Sequence, residues 1–229
     1  ALHHCQPVCD GDICERDGPA VALNPADFIT QNLRLAPVPG LPGVVLYSAH
    51  AGSRLARLQA PLGAAPYWAY PWGGGLALAQ HFRHFPRSVS TRRVLDLGAG
   101  SGLVGIVAAQ AGAQVHAAEI DVNGRAAIGL NAAANDVAIG LVDLDVDGAA
   151  PAGFDLIAAG DVFYDPAIAA RMLPFLERCR EAGIDVLIGD PARHDLPLDR
   201  LDLVASYAVG DVGDARDKTE RTGGVYRLG

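Results

Sequence analysis

Positive charge is scarce in this sequence. Its 229 residues include 18 Lys+Arg against 26 Asp+Glu, and the formal net charge is −8 at pH 7. Proteins that hold nucleic acid through its phosphates need an excess of basic residues on the binding face. We therefore expect no nucleic-acid partner for this chain.

Long apolar runs are also lacking. Residues 104–111 form one of the more apolar stretches, yet glycine and glutamine interrupt it well short of the roughly 20 residues that cross a bilayer. The start of the chain carries acidic residues in place of the basic and apolar segments of a secretory or transit peptide. We predict no membrane partner and a cytoplasmic location.

Cysteine is rare, with four residues in the chain. Three of them, at positions 5, 9 and 14, share the first 25 residues with His3 and His4. Thiolates and imidazoles bind soft metals, but this spacing matches no common zinc or iron–sulfur pattern. Because residues 1–25 are polar, aperiodic and rich in turn-forming residues, we predict a flexible extension with no metal site.

Residues 26–90 are predicted to form an N-terminal cap. Helical periodicity covers residues 26–33, a proline-rich turn follows, and residues 41–50 and 53–59 have the character of strands. The aromatic segment PYWAYPWGGG then leads into a helix expected at 76–85. The cap should therefore combine a helix with a hairpin.

Residues 91–229 alternate strands with helices. We predict strands at 94–99, 114–119, 138–144, 154–161, 185–190, 203–209 and 225–229, and helices at 103–111, 122–135 and 166–182. Short apolar runs next to helices indicate parallel strands buried on both faces, hence a doubly wound, Rossmann-like α/β sheet of seven strands. The last two strands lack an intervening helix and are predicted to form an antiparallel hairpin.

A glycine-rich turn follows the first of these strands in VLDLGAGSGLVG. Gly98, Gly100 and Gly102 allow positive φ angles and let a ligand lie against bare backbone, beyond the carboxyl ends of the strands. Glu119 ends the next strand, 21 positions after Gly98. Its carboxylate can accept hydrogen bonds from both hydroxyls of a ribose, which indicates an adenosine-containing ligand.

Two ligands of that kind compete for the loop. Gly100, Gly102 and Gly105 satisfy the dinucleotide pattern G-x-G-x-x-G, in which a pyrophosphate rests on a helix N-terminus. Asp96, two residues before Gly98, would repel a pyrophosphate but suits the positive amino group of S-adenosylmethionine (SAM). The residues favour SAM over NAD, and a dinucleotide-binding module without transfer activity is the alternative.

Asp145 stands at or just past the end of the third strand of the core. There it can accept a hydrogen bond from the adenine amino group, and we name it as a cofactor-binding residue. Its neighbours Asp143 and Asp147 leave a second interpretation open, a solvated acidic loop.

Several longer motifs are similar to those of class I, seven-stranded SAM-dependent methyltransferases. They are FITQNLRLAPVPGLPGVVLYSAH, PYWAYPWGGGLALAQHF, RRVLDLGAGSGLVGIVAAQAGA, LNAAAND, AGDVFYD and LIGDPARHDLP. Between about residues 28 and 228 the chain resembles, more narrowly, the electron transfer flavoprotein beta subunit lysine methyltransferases. That family usually reads WAFYWPGG where this chain has WAYPWGGG, so proline and tryptophan are exchanged.

The resemblance implies roles for particular residues. Asp161 and Tyr164 match the Asp-x-x-Tyr motif, which is expected to orient the acceptor amine, and both are named as catalytic. Trp72 is expected beside the cofactor and Trp68 on the substrate side, although packing within the cap is an alternative for both.

Asp190 closes the fifth strand of the core and Arg193 follows it. From this position the pair is expected to line the substrate channel; a surface ion pair is the alternative. The implied function is SAM-dependent methylation of a lysine side chain in a protein, with the flavoprotein beta subunit as the expected partner. The same site would also serve a small-molecule amine, which stays open as a second acceptor.

Overall fold

The computed structural model describes residues 24–55, 66–210 and 221–229. The predicted extension, with His3, His4 and its three cysteines, lies outside these ranges apart from its last two positions. Most of the strand expected at 53–59 also lies outside them.

The N-terminal part forms a small cap. Helix α1 (Pro25–Asn32) begins after Asn24, whose side chain accepts a hydrogen bond from the amide N–H of Ala26. Strands β1 (Arg34–Pro37) and β2 (Val45–Ser48) then pair as an antiparallel hairpin. A 3-10 turn, Tyr67–Ala69, leads into helix α2 (Gly73–His84).

The centre of the molecule is a single seven-stranded sheet. Its members are β3 (Arg93–Leu97), β4 (Gln114–Ala118), β5 (Gly140–Val142), β6 (Leu156–Gly160), β7 (Asp185–Asp190), β8 (Leu201–Val209) and β9 (Arg221–Leu228). The spatial order is β5-β4-β3-β6-β7-β9-β8. The first five strands are parallel, and β9 runs antiparallel to both β7 and β8. The predicted fold class, including the antiparallel final hairpin and the N-terminal cap, is confirmed.

Helices α3 (Leu103–Gln110), α4 (Val122–Ala134) and α5 (Pro166–Glu181) connect the parallel strands. Carboxylates set where two of them begin: Asp121 accepts from the Asn123 N–H at the start of α4, and Asp165 accepts from Ala167 and Ile168 at the start of α5. Such caps satisfy amide groups that the first helical turn leaves without partners. Asp161 therefore does not cap α5, and its side chain is available for another role.

The sheet separates two hydrophobic cores. Successive residues of a strand point to opposite faces, so Val94 packs with α2, α3 and the hairpin while Leu95 packs with α5. Helix α2 falls within the segment predicted as cap, yet its apolar residues share the first core with β3 and β6. Helix α2 therefore packs across the predicted boundary between the cap (26–90) and the core (91–229). That domain boundary stays a prediction.

The cap hairpin is tied to the core through two asparagines of α4. Asn131 accepts from the Tyr47 N–H and donates to the Ser101 carbonyl, both at 2.8 Å. Asn135 accepts from the Val45 N–H and donates to the Val45 carbonyl. These two side chains pair with the edge of β2 as a neighbouring strand would, and they connect the hairpin to the glycine-rich turn.

The described ranges contain neither a candidate membrane-spanning helix nor a candidate metal-binding cluster. No helix in residues 24–55, 66–210 and 221–229 combines the length and apolar character needed to cross a membrane. The same part of the chain holds no group of three or more His, Cys, Asp or Glu side chains placed to bind a metal ion.

Candidate active site

A cleft lies at the carboxyl ends of β3 and β6. Strand β3 has β4 on one side and β6 on the other, so the chain crosses the sheet in both directions from this point, where α/β sheets bind their ligands. The cleft is lined by Tyr70, Trp72, Gly75, Asp96, Gly98, Ala99, Gly100, Ser101, Leu103, Val104, Gly160 and Asp161. Six of these twelve fall within residues 98–104, which form the glycine-rich turn and the start of α3.

The glycines of the turn have the backbone conformation that the sequence predicted. Gly98, Gly100 and Gly102 have φ angles of +64°, +54° and +79°, a region that side chains with a Cβ rarely occupy. A Cβ on Gly102 would also lie 3.3 Å from Ile128 Cγ1 in α4. Both constraints leave the wall of the cleft as bare backbone.

Asp96 links β3 to the first turn of α3. It is 1% exposed, and its Oδ2 accepts a hydrogen bond from the Gly105 N–H at 2.8 Å. Burial raises the pKa of Asp96 to about 7, partly offset by the Gly105 hydrogen bond and reinforced by the nearby charge of Glu119. The carboxylate faces the cleft and at the same time occupies an amide of the helix N-terminus.

Glu119 directly follows β4 and holds the other side of the turn. Its Oε2 accepts from the Gly100 N–H at 2.8 Å, and its Oε1 accepts from the Asp121 N–H at 2.9 Å. A carboxylate has about four lone-pair positions, so each oxygen can accept one further hydrogen bond. The geometry is compatible with the predicted ribose contact.

Asp145 lies farther along the same edge, three residues beyond the end of β5. Its side chain is exposed, and its Oδ1 accepts from the Asp147 N–H at 3.0 Å within a turn. It is not among the residues that line the cleft. The predicted adenine contact therefore stays a prediction.

Asp161 follows β6 directly, opposite the glycine-rich turn. Its φ angle is +55°, and its N–H donates to the Gly189 carbonyl at 2.9 Å. The carboxylate accepts from the Gly75 N–H at 2.8 Å through Oδ2 and from Arg193 Nη2 at 2.8 Å through Oδ1. Backbone and side chain are thus both fixed, and 10% of the side chain is exposed.

The three glycines at the start of α2 allow this arrangement. Helix α2 approaches the sheet so closely that a Cβ on Gly74 would lie 2.1 Å from the Gly189 oxygen and 2.7 Å from Asp161 Oδ2. A Cβ on Gly160 would lie 3.0 Å from Gly75 Cα. Small residues on both surfaces bring the helix N-terminus to the carboxylate of Asp161.

Four aromatic side chains form what we call the aromatic mouth of the cleft: Tyr70 and Trp72 line the cleft, and Tyr67 and Tyr164 adjoin Trp72 through successive ring contacts. Ring centroids are 5.2 Å apart for Tyr67 and Tyr164, and 5.7 Å apart for Tyr67 and Trp72. Trp72 lines the cleft, and its Nε1 donates to the Tyr67 carbonyl at 2.7 Å. Burial raises the pKa of the half-exposed Tyr164, and the neighbouring Tyr67, Asp165 and Glu119 raise it further.

Two predicted substrate-side residues, Trp68 and Asp190, lie in the interior, and their substrate contact stays a prediction. Trp68 is 2% exposed and packs with Phe28 of α1 and Ala127 of α4, because the 3-10 turn directs it into the cap. Asp190 is 0% exposed, and its Oδ1 accepts from the Arg193 N–H at 2.6 Å. In the structure, Trp68 packs in the cap and Asp190 holds the turn after β7.

Arg193 combines features of both interpretations of its role. It forms an ion pair with Asp161, which lies in the cleft wall. Burial raises the pKa of Asp190 to about 6, with hydrogen bonds and the charge of Arg193 acting in the opposite direction and Asp161 raising it further. Arg193 thus belongs to the site through Asp161.

The comparisons with known proteins agree with this geometry. Residues 74–160, from α2 to the end of β6, match the family model described as methyltransferase small domain. The chain is 41% identical over 131 residues to the electron transfer flavoprotein beta subunit lysine methyltransferase of Danio rerio, covering 56% of this chain and 51% of that protein. It is 37% identical over 153 residues to the Xenopus laevis protein of the same name, covering 64% and 62%.

A solved structure shows the same fold. The crystal structure of a proposed RNA methyltransferase from Pyrococcus horikoshii superposes with a TM-score of 0.52, covering 76% of this chain and 93% of that one at 17% identity. The chain therefore has the fold of that methyltransferase structure, and its residues 74–160 are similar to the methyltransferase small domain. It spans between about half and three-fifths of the length of the two named curated relatives.

SAM is the cofactor of class I SAM-dependent methyltransferases, and the residues of the cleft fit it. In this chain the turn presents bare backbone between two carboxylates, Asp96 and Glu119, a setting suited to a cationic nucleoside. A pyrophosphate would need the amides at the start of α3, yet Asp96 already accepts from Gly105 and Glu119 from Gly100. The two carboxylates would repel it, which argues against NAD.

Several residues in or near the candidate site are not singled out by the sequence motifs. Tyr67 was read only as part of an aromatic segment, and the glycines at 74 and 75 only as part of a motif. Ile120, an apolar residue directly after Glu119, is 96% exposed. An apolar residue directly after the acidic end of β4 is the signal that could have indicated it.

Proposed function

We propose that this chain transfers the methyl group of SAM to lysine side chains of the electron transfer flavoprotein beta subunit. The observation that carries the proposal is the cleft itself, in which Asp161 lies opposite the glycine-rich turn under an aromatic mouth. The relatives named for this activity share 37–41% identity with the chain over the matched segments. An open, aromatic mouth suits a long aliphatic amine that enters from a protein surface.

The proposed roles follow the order of groups along the cleft. Glu119 would accept hydrogen bonds from the ribose hydroxyls, Asp145 from the adenine amino group, and Trp72 would cover the cofactor. Asp161, with the hydroxyl of Tyr164, would orient the amine toward the methyl carbon. The contacts with the Gly75 N–H and Arg193 hold the Asp161 carboxylate in the cleft wall.

When bound, SAM supplies a methyl carbon attached to a positive sulfur that leaves as a neutral thioether. The lysine nitrogen forms the new N–C bond with its lone pair as the C–S bond breaks and its electrons pass to sulfur; the methylated nitrogen then loses a proton to solvent. Only the neutral amine has that lone pair, and at pH 7 to 7.5 about one lysine in 10³ is neutral. The chain must therefore align the amine, exclude water and favour its neutral form.

The test is methyl transfer by the full chain with isotope-labelled SAM and purified beta subunit. Peptide mass spectrometry should place the label on lysine side chains. Label found only on small amines, or none at all, would refute the proposed function. Calorimetry with SAM and with NAD supplies an independent reading, because binding of NAD without SAM would remove the cofactor assignment.

A matched pair of variants separates the role of Asp161 from general damage. Asp161→Asn keeps the size of the side chain and an oxygen for the Gly75 N–H but removes the charge, so transfer should fall steeply while SAM affinity persists. Asp147→Asn makes the same change at an exposed ion pair with Arg171 and should leave transfer unchanged. The cytoplasmic location and the absence of a nucleic-acid partner remain predictions within this proposal.

A further inference from the structure

The backbone of Arg193 is fixed by the turn that follows β7. It stands in the turn that leaves β7, where the buried Asp190 accepts its N–H at 2.6 Å and Ala192 has a φ angle of +63°. This turn fixes the point from which the arginine side chain starts. Its position is thus set by the fold and not by a chance surface contact.

The guanidinium group joins two walls of the cleft. Nη2 donates to Asp161 Oδ1 at 2.8 Å, and the guanidinium carbon lies 5.8 Å from the ring centroid of Trp72. Of the side chain, 24% is exposed, so water screens the ion pair only in part. A planar guanidinium can make a charge-assisted hydrogen bond and stack on an aromatic ring at the same time, which an ammonium does less well.

Asp161 alone would present an electrostatic difficulty for the proposed reaction. A carboxylate beside the acceptor amine favours the ammonium form, which has no lone pair for attack, and an opposite charge within about 4–6 Å shifts a pKa by roughly 1–3 units. The reaction needs the oriented geometry that Asp161 gives but not the increase in amine pKa. A positive charge held beside Asp161 would offset the increase in amine pKa and leave the orientation of the amine in place.

We propose that Arg193 is a positioning residue that compensates the charge of Asp161, so that Asp161 orients the acceptor amine without stabilising its ammonium form. This inference rests on the proposed function and deepens it. The ion pair as a whole is neutral, and the sulfonium of bound SAM then dominates the field at the amine. Arg193 acts on the lysine through Asp161 and need not touch it.

Other titratable groups around Asp161 define the pH range for a test. Burial raises the pKa of Asp190 to about 6 and that of Asp96 to about 7. The pKa values of Tyr164 and Tyr226 are raised above the usual tyrosine value by burial and by neighbouring groups, Tyr67, Asp165 and Glu119 for Tyr164 and Asp190 for Tyr226. Between about pH 7.5 and 10, a change in profile caused by a variant therefore reports chiefly on the amine.

The experiment measures the single-turnover rate of methyl transfer against pH at saturating acceptor, because that rate reports the amine pKa within the complex. Arg193→Gln removes the charge, and its profile should move to higher pH by about 1–2 units. Transfer at about pH 7.5 should therefore fall roughly 10- to 100-fold and approach the wild-type rate at the alkaline end. Arg193→Lys keeps the charge and should keep the wild-type midpoint with a lower plateau.

Two controls complete the design. Arg171→Gln removes an exposed guanidinium from its pair with Asp147, away from the cleft, and should leave both rate and midpoint unchanged. SAM affinity, measured by calorimetry, should stay close to wild type in both Arg193 variants. That result would show that any loss of transfer does not come from a damaged cofactor site.

The possible outcomes separate the two proposals. If the wild type methylates lysine but Arg193→Gln lowers the rate equally at every pH, Arg193 has a structural role and the inference is wrong. A shifted midpoint in Arg193→Lys equal to that in Arg193→Gln would also overturn it, since both would then act through shape. If the wild type methylates no lysine at any pH, the proposed function fails and the inference fails with it.

Discussion

The substitution Gly74→Ala tests the close approach of α2 to the sheet. A Cβ at this position would lie 2.1 Å from the Gly189 oxygen and 2.6 Å from its carbonyl carbon, and real Cβ contacts essentially never fall below 3.0 Å. The helix and β7 would have to separate locally by 0.9 Å, the difference between 2.1 and 3.0 Å. Both contacts are with backbone, so no flexible side chain can move aside.

The energetic cost can be bounded. Adding a methyl group to a packed interface costs about 1–3 kcal/mol when the backbone must shift. The same substitution at an unconstrained helical site stabilises a protein by about 0.5–1 kcal/mol. Gly129, exposed in α4 with no heavy atom within 4 Å of a Cβ built on it, is such a site. The two Gly→Ala variants should therefore differ in free energy of unfolding by about 1.5–4 kcal/mol.

Urea unfolding followed by circular dichroism measures both values. In a chain of this size each kcal/mol corresponds to about 2–4 °C in Tm, so thermal unfolding gives a second reading. Gly74→Ala should also lose methyl transfer, because the Cβ would displace the Asp161 carboxylate from the Gly75 N–H. A Gly74→Ala protein as stable as wild type would show that α2 does not approach β7 as described.

Three further predictions concern the cofactor turn and its supports. Glu119→Ala should weaken SAM binding in calorimetry by about 1.5–3 kcal/mol, the range for a hydrogen bond to a charged group. Asn131→Ala should lower the free energy of unfolding by about 1–3 kcal/mol, because the Tyr47 N–H and the Ser101 carbonyl lose their partner. The raised pKa of Asp96 means that the folded state holds a proton which the unfolded state has released between about pH 4 and 7. Stability should therefore fall as pH rises through that range, and Asp96→Asn should flatten the dependence in urea titrations.

Each of these has a result that contradicts it. An unchanged dissociation constant in Glu119→Ala would remove the ribose assignment. A wild-type stability for Asn131→Ala would show that the hairpin does not depend on this side chain. If the slope of stability against pH persists in Asp96→Asn, another group, of which the buried Asp190 is the first candidate, is responsible for it.

Local signals were sufficient to predict the core of the fold. The apolar run ending at Leu97 and the glycines after it define a strand and its turn, and the spacing to Glu119 defines the next strand. Strand β5 is shorter than predicted, Gly140–Val142 within 138–144, because this edge strand has a neighbour on only one side. Strand β9 is longer, since it pairs on both sides with β7 and β8.

The sequence predicted site residues well only where local sequence fixes their place, as at strand ends and turn glycines. The two tryptophans show the limit: Trp68 and Trp72 lie four positions apart, but the 3-10 turn directs one into the cap and leaves the other at the cleft. Sequence spacing does not encode which way that turn faces. The pairing of Arg193 with Asp161, by contrast, joins residues that follow adjacent parallel strands, so the strand order alone could have suggested it.

The left-handed backbone of Asp161 restricts what can replace it. Glycine, asparagine and aspartate tolerate that conformation, whereas β-branched and bulky residues pay a conformational penalty before any chemistry is considered. The backbone conformation at position 161 thus allows glycine, asparagine or aspartate. The proposed reaction requires the carboxylate, which only aspartate supplies. Most substitutions at this position should therefore give proteins that are both inactive and less stable. Asp161→Gly should abolish activity but remove the strain of the positive φ angle.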